Sequence, residues 1–168
     1  MDLAVRGVHS VTLTIQNVPR SVGFLTEVLG WRVSDKEGRR TRLVIGTGGP
    51  GKTIDILSDP DSMVGTNGLG TVHHVAMAIG SAEEQLQARE ALLRLGVAVT
   101  EVRDREYFLS IYFREPGGVL YEIATMKPGF AVDEPLAELG TSLKLPPWEE
   151  PHRADIERGL PAVRALGT

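Results

Sequence analysis

Two stretches of this chain alternate apolar and polar residues in the same way. Val8–Ile15 reads VHSVTLTI and Val72–Ile79 reads VHHVAMAI. Successive side chains on a strand face opposite sides of a sheet. Val11, Leu13 and Ile15 therefore predict one apolar row, and Val75, Met77 and Ile79 its counterpart. Ser10, Thr12 and Thr14 share the other face of the first strand, as His74, Ala76 and Ala78 do on the second. After each strand the period becomes helical. RSVGFLTEVLGWRV carries Val22, Leu25, Val28 and Leu29 at helical spacing, with Gly30 where a C-terminal cap belongs. SAEEQLQAREALLRLGVAV offers Ser81 as N-cap and Glu84 as its capping-box partner. Leu86, Leu92, Leu93 and Leu95 supply its expected apolar face, and Gly96 the stop.

Three strand-like runs follow each helix: WRVSD, RTRLVIG and KTIDILS in the first half, AVTEVRD, YFLSIYFREP and GVLYEIATM in the second. EPGG reads as a tight turn between the last two. GTGGPGKT lacks the glycine spacing and following helix of a phosphate loop, and reads as a hairpin loop. Each half is thus strand, helix, three strands. The expected fold is α+β, with two βαβββ modules, 1–66 and 67–128, whose open mixed sheets line a shared cleft. Residues 129–168 are rich in proline and charge. They predict an extension with one or two short helices, strapped down by Leu143, Leu145 and Trp148.

Composition narrows the chemistry. With 42% hydrophobic and 24% charged residues, the 168-residue chain reads as an ordinary globular protein. A net charge of −4 offers no broad basic surface to nucleic acid, and no apolar run is long enough to span a bilayer. No signal peptide is read in MDLAVRGVHS, so the expected compartment is the cytoplasm. There is no cysteine, which excludes disulfides, thiolate nucleophiles and zinc–thiolate sites. Any metal must be held by His, Asp or Glu.

One carboxylate stands out. Glu122 interrupts the apolar strand VLYEIAT, and burying a lone carboxylate demands a partner. The repeat sets Asp55, in TIDILS, at the corresponding place. Four equivalent cleft positions follow: Ser10 and Asp55 from one half, His74 and Glu122 from the other. An imidazole and carboxylates converging on one point suit a divalent metal with open positions. The plainer readings are a solvated or salt-bridged Asp55, a structural His9, a half-buried aromatic at Tyr112, a surface charge at Arg105 and a surface His152.

The paired modules, with His on a first strand and Glu on a last, resemble the vicinal oxygen chelate superfamily of glyoxalase I, fosfomycin and bleomycin resistance proteins and extradiol dioxygenases. GTVHHVAM, REYFLSIYFREPGGVLYEIAT, PGFAVDEPLAELG and LKLPPWEEPHRADIE resemble, more narrowly, the hydroquinone-type ring-cleaving dioxygenases. Those enzymes have four modules, and this chain is similar to their C-terminal half. The resemblance implies an Fe(II) site of two His and one Glu, with His74 and Glu122 as two of the three. The remaining His belongs to a module this sequence lacks, and Ser10 stands at the equivalent place in its own first module. Asp55, a residue across a homodimer, or a separate N-terminal-half chain would then supply the third ligand. His73, Arg105 and Tyr112 are implied to orient or protonate a hydroquinone or catechol-like substrate, with dioxygen as co-substrate. Mn(II), another divalent ion or no metal are the alternatives to iron. A non-catalytic binding or resistance protein and a glyoxalase-like lyase are the alternatives to a dioxygenase.

Overall fold

Parallel pairing between the first and last strand of each half sets the architecture. The computed structural model describes residue 5 and residues 7–63 and 66–161. In the first half, β1 (Val11–Ile15), α1 (Val18–Glu27), β2 (Arg32–Glu37), β3 (Arg40–Val44) and β4 (Thr53–Ser58) follow in order. In the second, β5 (Val75–Ile79), α2 (Ala82–Arg94), β6 (Arg103–Asp104), β7 (Leu109–Arg114) and β8 (Leu120–Thr125) repeat the pattern. The sheets are β1-β4-β3-β2 and β5-β8-β7-β6. In each, the pair formed by the first and last strands is parallel and the rest are antiparallel. This is the α+β arrangement of two mixed, unclosed sheets that the repeat predicts.

The alternation along the strands builds the core. Ile15, Leu43, Ile54 and Ile56 from one sheet join Ile111, Phe113, Tyr121 and Ile123 from the other in one buried cluster. The helices lie in the same core: Phe24 on α1 meets Phe113 on β7, with ring centroids 6.1 Å apart. A core shared across both halves makes each half support the other's sheet.

The helix ends follow local chemistry. Asn17 caps α1 by accepting the Arg20 N–H at 3.3 Å, so the helix starts two residues before the RSVGF run. Gly30 adopts φ 71°, a left-handed conformation that favours glycine. It lets the Trp31 N–H reach back to the Leu25 carbonyl at 3.0 Å and closes the helix. Ser81 caps α2 by accepting the Glu84 N–H at 3.1 Å, and the Glu84 carboxylate returns to the Gly80 N–H.

Four expectations need correction. The apolar face of α2 is not the leucine set: Leu86, Leu93 and Leu95 are exposed and only Leu92 is buried. The face turned to the sheet runs Gln85, Ala88, Leu92. Gln85 is buried because its Nε2 donates to the Leu109 and Ile123 carbonyls, both at 2.8 Å. Second, β1 and β5 are shorter than the alternating runs. Ser10 and His74 each stand just before their strand, outside the ladders that begin at Val11–Ile54 and Val75–Tyr121.

Third, β6 shrinks to two residues, and Val99 contributes only an isolated bridge to Phe113. Fourth, the extension is not held by Trp148, which is exposed. Phe130 packs on Tyr107 at 4.9 Å, and the Tyr107 hydroxyl donates to Asp133 at 2.9 Å. Buried Glu134 accepts from the Ser142 hydroxyl and the Gly140 N–H. Three short 3-10 turns lead to α3 (Arg153–Gly159). No helix among the described residues is long and apolar enough to cross a membrane.

Candidate metal centre

The outward face of each sheet carries one buried carboxylate, and its neighbours follow from strand register. On the second sheet Glu122 lies level with Ala76 on one side and Tyr112 on the other. Ser110, two residues before Tyr112, shares that face and donates its hydroxyl to Glu122 Oε1. His74 reaches over from the entrance to β5, and its Nε2 lies 2.6 Å from Glu122 Oε2. The Glu122 side chain is 3% exposed and that of His74 31%. The carboxylate is thus sunk into the sheet with one oxygen on a hydroxyl and the other on an imidazole.

Two further rings fix His74. Its ring meets Tyr112 edge-on, centroids 5.7 Å apart. Its Nδ1 lies 2.8 Å from His73 Nδ1, so one of the two nitrogens carries the shared proton. Arg105 lies over Tyr112, with its guanidinium carbon 5.4 Å from the ring centroid and Nε 3.3 Å from the hydroxyl. A tight turn aims Arg105 there. Glu106 takes φ 65° and its N–H bonds the Asp104 carboxylate, while the Arg105 N–H bonds the Phe108 carbonyl.

On the first sheet Asp55 lies level with Thr12 and Arg42. Arg42 grips it through Nε at 2.8 Å and a second nitrogen at 2.9 Å, and Arg40 adds a contact at 3.0 Å. The hydrogen bonds from Arg42 hold the Asp55 carboxyl below the usual aspartate range, against the opposing pull of burial, and Arg40 adds to the effect. Asp55 in turn raises Arg42. Ser10 is paired with His9, Oγ to Nδ1 at 3.3 Å.

The four repeat-equivalent positions therefore gather as one pair on the second sheet and an arginine-clamped aspartate on the first. Among the described residues no three His, Asp or Glu side chains form a metal-holding group. The plainer reading of a salt-bridged Asp55 holds, but its partners were not identified in the sequence. Their signal was there: in RTRLV the two arginines alternate onto one face, and pairing with TIDIL sets them against Asp55.

His74 and Glu122 suit a divalent ion in donor type, one imidazole nitrogen and one carboxylate oxygen. Cis donors about 2.1 Å from a metal lie about 3.0 Å apart, so the 2.6 Å pair needs to open only slightly. The pair fits as two donors of a larger set.

A duplicated βαβββ fold with a His–carboxylate pair on one sheet defines a class, and residues 7–123 match the Glyoxalase/Bleomycin resistance protein/Dioxygenase superfamily. The chain belongs to that superfamily. Within it, the chain is 42% identical over 160 residues to MhqE of Bacillus subtilis (strain 168), provisionally named a ring-cleaving dioxygenase. That alignment covers 95% of this chain and 52% of MhqE. It is 34% identical over 164 residues to a chlorohydroquinone/hydroquinone 1,2-dioxygenase of Sphingobium indicum, covering 95% of this chain and 50% of that protein. A crystal structure from Bacillus subtilis, provisionally described as a dioxygenase, superposes with a TM-score of 0.84 at 40% identity, covering 91% of this chain and 49% of that one. The chain spans about half the length of the curated relatives it matches.

Proposed function

We propose that this chain carries the His74–Glu122 part of a divalent-metal site in a ring-cleaving dioxygenase of the extradiol type, acting on a hydroquinone or catechol-like aromatic with Fe(II). The observation that carries the reading is the pairing of His74 Nε2 with Glu122 at 2.6 Å, beside Tyr112 and Arg105. The relatives named for ring cleavage support it. When bound, a ferrous ion supplies open positions for a substrate oxygen and dioxygen and lowers the pKa of a bound phenol.

The chain's own residues do the rest. Ser110 holds one Glu122 oxygen, and the other, which lies against His74 Nε2, is the one a metal would share. In the tautomer whose Nε2 is bare, His74 donates its Nδ1–H to His73 Nδ1, which fixes the ring's orientation. His73 then has its other ring nitrogen available for proton exchange with substrate. The Tyr112 hydroxyl offers a hydrogen bond on the same face, and Arg105 a positive charge for an anionic substrate oxygen. A third ligand comes from outside the pair: a second copy of this chain, or the further modules that the longer relatives contain. Arg40 and Arg42 occupy Asp55, which makes it the least available of the three sources considered.

The test is iron content per chain after anaerobic reconstitution with Fe(II), for wild type and His74→Ala side by side, alone and with hydroquinone. Near-stoichiometric iron that is lost in the variant supports the reading. Equal iron in both sinks it. The incomplete donor set favours one second reading, a metal-free small-molecule binding protein. It predicts hydroquinone binding without iron and without ring opening.

A further inference from the structure

Beside the face that carries the His74–Glu122 pair, β1 and β5 border a cavity of about 450 Å3. That lies within the range of ordinary small-molecule sites, about 300–1,000 Å3. It has a counterpart cavity of about 440 Å3, which reaches His73 and His74. The internal repeat relates the two: Gly51 and Thr53 line the first where Gly118 and Leu120 line the second. Their chemistry differs. The second is bordered by Thr12, Thr14, Arg114 and the two histidines. The first is walled by Val11, Trp31, Ile54 and Met77, with Ala76 and Ala78 leaving room along β5.

Polar side chains in the first cavity are few. Ser10 and Thr53 contribute hydroxyls, and the Thr53 hydroxyl donates to the Gly49 carbonyl. Lys52 contributes the one charged side chain in the lining, and it forms no ion pair with a carboxylate among the described residues. No acidic residue lines the cavity. An apolar recess with a single cation and a hydroxyl at its border selects for a molecule with an apolar body and one negative charge. A dication or a sugar finds no matching groups there. We propose that this cavity is a second small-molecule site, binding a compact aromatic or aliphatic monocarboxylate or its sulfonate analogue. The apolar part lies against Trp31 and Met77, and the anionic head meets Lys52 and Ser10.

Neither His74 nor Glu122 lines this cavity, although Val75 borders both cavities and Ala76 lies level with Glu122, and the proposal does not rest on the dioxygenase reading. The probe is 8-anilinonaphthalene-1-sulfonate, followed by fluorescence on the purified chain, with octanoate as competitor. The expected result is one saturable site per chain, displaced by octanoate. Lys52→Glu raises the dissociation constant at least 10-fold while leaving the thermal midpoint unchanged, because Lys52 is exposed. Ala78→Trp fills the recess and abolishes binding, and His74→Ala leaves it intact. N-phenyl-1-naphthylamine, the uncharged analogue, binds with no dependence on Lys52.

Three outcomes overturn the proposal. Non-saturable fluorescence means scattered apolar contacts. An unchanged constant in Lys52→Glu removes the anion from the site. Loss of binding in His74→Ala moves the ligand to the other cavity. Because Lys52→Glu changes only an exposed side chain, the proposal remains testable if Ala78→Trp fails to fold.

Discussion

The two sheets present the same scaffold with opposite chemistry. Each buries one carboxylate on its outward face, at the same register position of its last strand. Around Asp55, the flanking residues on β3 are Arg40 and Arg42; around Glu122, the flanking residues on β7 are Ser110 and Tyr112. At the entrance to the first strand stands Ser10 in one half and His74 in the other. Two guanidinium groups pair with Asp55. Glu122 has a hydroxyl and an imidazole instead. A buried carboxylate needs partners, and the two halves supply them differently: two arginines for Asp55, a serine hydroxyl and a histidine for Glu122.

The sharpest way to break this comparison is to remove each carboxylate in turn. Glu122→Ala is expected to lose divalent-metal binding, with affinity falling by decades, whereas Asp55→Ala leaves metal content as in wild type. Isothermal titration with Co(II) or Mn(II), which avoids iron oxidation, reads both. If Asp55→Ala lowers the stoichiometry as much as Glu122→Ala, the clamp is not a closed unit. The contrast between the two carboxylates then fails.

The repeat made most of the architecture legible. Identical alternation in VTLTI and VAMAI, each followed by a helical period and a glycine stop, is local information, and the structure keeps it. What escaped depended on tertiary register. The leucines of α2 look like a core face on composition. The sheet instead meets the face that carries Gln85, because Gln85 can satisfy two strand carbonyls that no leucine can. The pairing of His74 with Glu122 was legible because a carboxylate broke an apolar strand at the place the repeat marked. A salt bridge at Asp55 was among the readings, but Arg40 and Arg42 were not named as its partners, since that requires the register of β3 on β4. The source of a third ligand is not legible in a chain that spans half its relatives.

Gln85 provides the next test, because the same helical position in α1 is Ser21. Both residues are buried, Gln85 at 1% and Ser21 at 0% exposure. Gln85 bridges β7 and β8 through two hydrogen bonds, but the Ser21 hydroxyl has no partner. Gln85→Ala removes both bonds and opens space under β8. It is expected to lower stability by about 1–3 kcal/mol in urea unfolding. Ser21→Ala removes an unsatisfied hydroxyl and is expected to be neutral or slightly stabilising. Equal losses in the two variants show that helix burial alone, not the bridge, ties α2 to its sheet.

The smallest effect is the acid dependence of the clamp. The Asp55 carboxyl lies below its unfolded pKa of about 3.8, so between the two values the unfolded chain binds more protons than the folded one. Stability then rises with pH through that interval. The contribution is fully present above about pH 5 and is lost as pH falls through the folded value. The arginines are about half exposed, 42% and 45%, so solvent screens the pair and the effect is expected to be about 1 kcal/mol or less. Asp55→Asn should flatten the urea midpoint against pH below 4 and leave its slope above pH 5 unchanged. An identical acid slope in wild type and variant places the acid sensitivity in other carboxylates. Glu134 and Glu150 are the next to examine, since hydrogen bonds from Ser142 and Arg153 respectively also hold them low.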